Sequence, residues 1–202
     1  MASTLRVHRD GVIARLEMFQ ADGFPRLSAS LLREMDIALN HLLPDPSCEG
    51  LVLHGTEKCF SGGAEISEVG ALTGTTALDF SRRAQLLLVR IAEVHKPVVA
   101  AVSGYCLGGG FDLALACHAR LATPDAVFGH PGATLGIITG WGGTQRLPRL
   151  IGRGRALEVL LSGESIAAER ALEMGLVSEL LPVERLLVRA VELAQGPVRA
   201  GA

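Results

Sequence analysis

Aromatic residues are scarce in this chain of 202 residues: one Trp, one Tyr and six Phe. Its core must therefore rest on Leu, Val, Ile and Ala, which the 49% hydrophobic content supplies. There is no Lys/Arg run with interleaved aromatics, and the net charge is -2. That balance excludes nucleic acid as the main partner, because neutralising phosphates needs a basic face. A polyanionic small molecule stays open, since a helix N-terminus and a few local charges suffice for one. Cys48, Cys59, Cys106 and Cys117 form no C-x-x-C pair and no short Cys/His ligand spacing, so reduced, buried thiols are expected and a metal site is not. Met1 to Asp10 lacks an apolar signal region. The uncharged stretch Pro97 to Phe111 holds four glycines and is too short and broken to span a membrane. A cytoplasmic protein with no membrane partner is the expectation.

Three common site signatures are also missing. There is no G-x-x-x-x-G-K-[ST] for nucleotide phosphates, no G-x-G-x-x-G, and no G-x-S-x-G nucleophile elbow. What the chain does have is glycine, 24 residues of it, and in clusters. Clustered glycine marks places where backbone turns with positive φ or approaches something closely.

Along the chain, two alternating runs flank Asp10-Gly11 and predict a hairpin. Leu31, Leu32, Met35, Leu39, Leu42 and Leu43 recur at helical spacing, with Ser28 as the N-cap and Pro44 and Pro46 as the stop. Leu51 to His54 predicts a buried strand. A loop (56–64), a helix (76–94) and a strand (98–102) follow, then a loop (103–109), a helix (110–117) and a strand (119–122). Further helices are predicted near 143–151, 153–161, 167–174 and 183–195. This alternation indicates an α/β fold with crossover connections. No low-complexity linker divides it, so one domain over residues 1–195 is expected, with 196–202 a flexible tail.

Each of the first two predicted strands after the hairpin, 51–54 and 98–102, runs into a glycine-rich loop and then a helix. The loops are Cys59-Phe60-Ser61-Gly62-Gly63-Ala64-Glu65-Ile66 and Gly104-Tyr105-Cys106-Leu107-Gly108-Gly109-Gly110-Phe111-Asp112. A helix N-terminus leaves backbone N–H groups without internal partners, and these suit an anion or a developing oxyanion. Either loop alone is equally well a tight strand-to-helix turn. Two of them favour a site.

These residues carry a family resemblance. His95 to Gly110 (HKPVVAAVSGYCLGGG) resembles the central motif of the crotonase (enoyl-CoA hydratase/isomerase) superfamily. Gly140-Trp141-Gly142-Gly143-Thr144-Gln145-Arg146-Leu147-Pro148 resembles its second signature, and Phe60 to Ile66 resembles its F-x-[AG]-G-[AG]-[DE]-[IL] loop. The likeness runs from about Val7 to about Gln195. It implies an α/β fold built as a spiral of ββα units, with the C-terminal helical region of relatives mostly missing. It further implies an acyl-CoA thioester as substrate, CoA entering only as part of that substrate with no separate cofactor, and assembly as a homo-oligomer.

Residue by residue, the resemblance places the thioester oxygen between the amides of Ala64 and Gly109, with Gly108 beside them in the binding loop. The adenine-binding backbone falls on Gly62, Glu65 and Ile66. Hydratases of the family use two glutamates; the first position falls on Asp112 and the second on Gly132, which cannot transfer a proton. The two-glutamate mechanism is therefore not expected, and Asp112 is the best remaining base. His130 is a candidate proton relay, and Trp141 is expected to line the acyl pocket. Glu65, Glu68 and Glu158 are expected to be solvated or capping, and Arg146 and Arg149 to make structural ion pairs. The expected function is an acyl-CoA enzyme that stabilises a thioester enolate. The alternative is a CoA-thioester binding protein without hydratase activity.

Overall fold

A computed structural model describes residues 2–197. The expected tail at 196–202 therefore lies mostly outside the described residues. The chain opens with β1 (Thr4–Asp10) and β2 (Ile13–Phe19), followed by α1 (Ala29–Leu42), β3 (Gly50–His54) and β4 (Cys59–Ser61). Next come α2 (Ile66–Gly70), α3 (Gly74–Glu93), β5 (Val98–Val102), β6 (Tyr105–Leu107), α4 (Gly109–Ala116), β7 (Ala119–Ala122) and β8 (Val127–Gly129). A 3-10 helix at Pro131–Leu135 leads to α5 (Gly143–Ile151), α6 (Arg153–Ser162), β9 (Ile166–Ala167), α7 (Ala168–Glu173), β10 (Glu179–Leu180) and α8 (Val183–Ala194).

The strands form two sheets. The larger has the order β1-β2-β3-β5-β7-β10 and the smaller β4-β6-β8-β9. Successive strands are dealt alternately between them: β3 then β4, β5 then β6, β7 then β8, each pair followed by helix. That is the expected spiral of ββα units. All neighbours are parallel except β1 with β2 and β8 with β9. Parallel strands buried on both faces must be apolar throughout, and β5 (VVAAV) is buried at every position. Val98, Ala100 and Val102 face the main core. Val99 and Ala101 face a smaller one closed by Leu186, Ala190 and Ala194 of α8.

The hairpin departs from expectation by one residue. Asp10 pairs with Ile13, so the turn is Gly11-Val12, with Gly11 at φ +61°. Only glycine takes that conformation without strain, and it captures the first turn position. The individual strands of the second sheet were not predicted from the residues, where they read as loop. Its strands β4, β6 and β8 are three residues long and lie within or beside the glycine loops, too short to show an alternation. The four cysteines are buried free thiols. No helix among the described residues is long and apolar enough to cross a membrane.

Ser28 caps α1 as expected, its hydroxyl accepting from the Leu31 amide at 3.2 Å. From the other side, the Glu68 carboxylate accepts from the Ala29 amide at 2.7 Å. Replacing Ser28 by Ala leaves an N-terminal donor unsatisfied, and a loss of about 1 kcal/mol is expected in urea denaturation.

Candidate active site

The two glycine loops meet. A Cβ on Gly63 would lie 2.8 Å from the Leu107 carbonyl oxygen and 3.3 Å from the Gly109 nitrogen, so the first loop rests directly on the second. Gly110 makes the same approach on the other side, where a Cβ would sit 2.6 Å from that of Ser61 in β4. Backbone bonds lock the loops: Leu27 N to Gly63 O at 2.8 Å, Gly62 N to Pro25 O at 2.9 Å, and Gly108 N to Gly129 O at 2.9 Å. The amides of Ala64 and Gly109 are left over. Neither donates to a protein group among the described residues. Gly109 opens α4, so its N–H is one of the donors a helix cannot satisfy internally, and it adds the positive end of the dipole.

Both residues line a cavity of about 320 Å³. Its walls come from the loops, from Ala77, Phe80 and Ser81 of α3, and from the segment 131–141. Trp141 lines it as expected. The indole is buried, packs on Phe80 at 5.5 Å between ring centroids, and lies against Cα of Gly109. Gly132 lines the same wall and offers no side chain. A Cβ there would lie 2.8 Å from the Ile137 carbonyl oxygen, so the turn itself now favours glycine.

Asp112, from the first turn of α4, and His130, just after β8, come together at the cavity. His130 Nε2 lies 3.5 Å from Asp112 Oδ1, a contact short of a hydrogen bond, and neither atom is hydrogen-bonded among the described residues. Thr139 donates its hydroxyl to the other carboxylate oxygen. Phe111 stacks on the imidazole at 4.9 Å. Burial pushes Asp112 up to about 6, against the Thr139 hydrogen bond and the nearby Arg146 charge, and pushes His130 down to about 4. Near neutral pH the pair is thus a carboxylate facing a neutral imidazole. Such separated values are a mark of acid–base sites. Gly143 makes room for the pair. A Cβ there would strike Asp112 Oδ1 and come within 3.0 Å of His130 Nε2. Gly143→Ala is therefore expected to force the pair apart and lower kcat by roughly tenfold or more, measured by steady-state kinetics.

The remaining expected site residues divide. The amides of Gly62 and Glu65 are taken by Pro25 and Leu27, and the Gly62 carbonyl and the Ile66 amide have no partner among the described residues. The Glu65 side chain caps α2, as expected of a capping charge, and lies outside the cavity lining. Arg146 and Arg149 make no ion pair among the described residues, contrary to expectation. They donate instead to the carbonyls of Trp141, just before α5, and Gln145, in its first turn. Thr139 was missed. Its only signal was a lone hydroxyl at the end of an apolar stretch.

The enoyl-CoA hydratase/isomerase family model matches residues 12–201. The chain belongs to the enoyl-CoA hydratase/isomerase family. Its similarity to a probable enoyl-CoA hydratase of Bacillus subtilis is 44% identity over 153 residues, covering 75% of this chain and 59% of that protein. With a probable mitochondrial enoyl-CoA hydratase of Dictyostelium discoideum it shares 36% over 192 residues, covering 95% and 69%. An enoyl-CoA hydratase crystal structure from Bacillus anthracis superposes with a TM-score of 0.90 at 34% identity, covering 95% of this chain and 75% of that one. The chain thus spans about three fifths of the first of these relatives. Within this enoyl-CoA hydratase/isomerase fold, the paired amides, the cavity and the Asp112–His130 pair are the parts with chemistry to offer.

Proposed function

We propose that this chain is an acyl-CoA enzyme that holds a thioester carbonyl oxygen between the amides of Ala64 and Gly109. The carrying observation is that these two amides, from separate loops, have no partner among the described residues and belong to residues that line one cavity. A thioester enolate carries its charge on oxygen, and two fixed N–H donors in a water-poor site stabilise it by several kcal/mol. The named enoyl-CoA hydratases among the relatives support an enoyl-CoA as the substrate class. Asp112 and His130 supply acid–base chemistry beside the carbonyl. Gly62 and Ile66 offer main-chain groups to the adenine. CoA enters with the substrate, and no separate cofactor is part of this reading.

The test is calorimetric titration with an acyl-CoA, followed by product analysis on enoyl-CoA thioesters. Binding with turnover is expected. Binding without turnover would mark a CoA-thioester binding protein, and no binding would overturn the reading. We also place the chain in the cytoplasm as a homo-oligomer. Exposed Leu135, Ile137 and Ile138 near the cavity mouth support association. Light scattering showing a monomer would refute the assembly.

A further inference from the structure

We infer that a groove between α1 and α3 is a second binding site, suited to a single-chain amphipath with a carboxylate head, such as a medium-chain fatty acid. It stands apart from the thioester site, and its failure would leave the reading of that site intact.

Both helices sink one face into the main core. α1 buries Leu31, Met35 and Leu39 there, and α3 buries Ala84, Leu88 and Ile91. Beside those faces lies a cavity of about 460 Å³, within the range of small-molecule sites. On α3 its lining includes Thr76, Asp79, Phe80, Arg83, Leu87 and Arg90, a stripe at three- and four-residue spacing. At 1.5 Å per residue that stripe is about 21 Å long, enough for an extended alkyl chain. Leu32 and Leu87, both buried, give the groove an apolar floor.

Charge decides the head of the ligand. Arg33, Asp36, Asp79, Arg83 and Arg90 all line the groove. Arg90 is engaged: it holds Asp36, and it donates to the Asn40 side-chain oxygen at 2.8 Å. The lining stretches, 29–36 on α1 and 76–90 on α3, thus have their last residues paired, and that pair marks one end of the groove. Arg33 and Arg83, one from each helix, stand on the same side of it. Among the described residues neither makes an ion pair. Asp79 is likewise unpaired, which leaves two cations against one anion. Guanidinium groups are weakly hydrated and match a carboxylate with paired N–H donors, so a carboxylate head complements this excess. An inorganic anion would leave the leucine floor uncovered. The ligand needs a chain as well as a head.

The chain carries its own reporter. Phe80 lines both this groove and the active-site cavity, and it packs on Trp141, the only tryptophan. A chain lying against Phe80 therefore changes the surroundings of the indole.

The experiment titrates decanoate into the full chain, read by calorimetry and by Trp141 emission. One-to-one binding is expected, with Kd falling roughly threefold per CH2 from hexanoate to decanoate. Decanol, with the same chain and no charge, should bind at least roughly tenfold more weakly. Arg33→Gln and Arg83→Gln should each weaken decanoate roughly tenfold and leave the affinity for butyryl-CoA unchanged. Both arginines are exposed, so neither substitution disturbs the core. No binding of decanoate, equal binding by wild type and both variants, or equal binding of decanol would overturn the inference. Displacement of decanoate by butyryl-CoA would also overturn it, by putting the chain in the cavity at Ala64 and Gly109. If butyryl-CoA itself fails to bind, the thioester reading falls and the arginine variants still decide this one.

Discussion

Gly109→Ala is expected to lower kcat/KM for an enoyl-CoA by roughly 100-fold or more, the usual consequence of losing one oxyanion donor. The cause is steric. Cα of Gly109 lies against the Trp141 ring, and a Cβ would be driven into it, only 2.6 Å from Cε3. Trp141 cannot retreat easily, being buried and packed on Phe80. Either the loop moves and the amide loses its aim, or the ring moves and the cavity changes shape. Such overpacking also destabilises by about 1–3 kcal/mol. The double variant Gly109→Ala/Trp141→Ala separates the two effects. Space returns, so stability should recover relative to the sum of the single losses, and a double-mutant cycle in thermal denaturation measures this coupling.

Asp112→Asn is expected to trade activity for stability. Folded Asp112 keeps its proton up to about pH 6, against 3.8 as the ordinary value. The folded chain therefore binds more protons than the unfolded one between those limits. This group's stabilising share is full below about pH 4 and is lost as pH rises through 6. Asn stays neutral throughout, so the variant should exceed wild type by up to about 3 kcal/mol at pH 8, with the gap closing below pH 4. Asn can still accept from Thr139 and donate to the imidazole. What it cannot do is take up or give a proton, so kcat should fall roughly 100-fold. His130 acts with the opposite sign. Its folded value is depressed to about 4 from 6.5, so its share is present above pH 6.5 and is lost as pH falls toward 4. Urea melts across pH 4–8 read both contributions.

The fold and half of the site were legible in the sequence for physical reasons. The long elements showed because amphipathic spacing and capping act locally: α1 announces itself by its leucines and Ser28. The glycine loops showed because residues 63, 109 and 110 admit no Cβ at all. The small sheet did not show, since a three-residue strand has too little pattern to read. Nor did the pairing of Asp112 with His130, which join from α4 and the end of β8 only once the spiral has formed. Arg146 and Arg149 misled because a charge in sequence suggests an opposite charge, whereas in space the nearest acceptors were carbonyls.

The most direct measurement is a crystal structure of the chain with a bound acyl-CoA. It should place the thioester oxygen about 2.7–3.1 Å from the nitrogens of both Ala64 and Gly109. A thioester oxygen bonded to neither amide, or lying elsewhere in the cavity while the loops keep their positions, would contradict it.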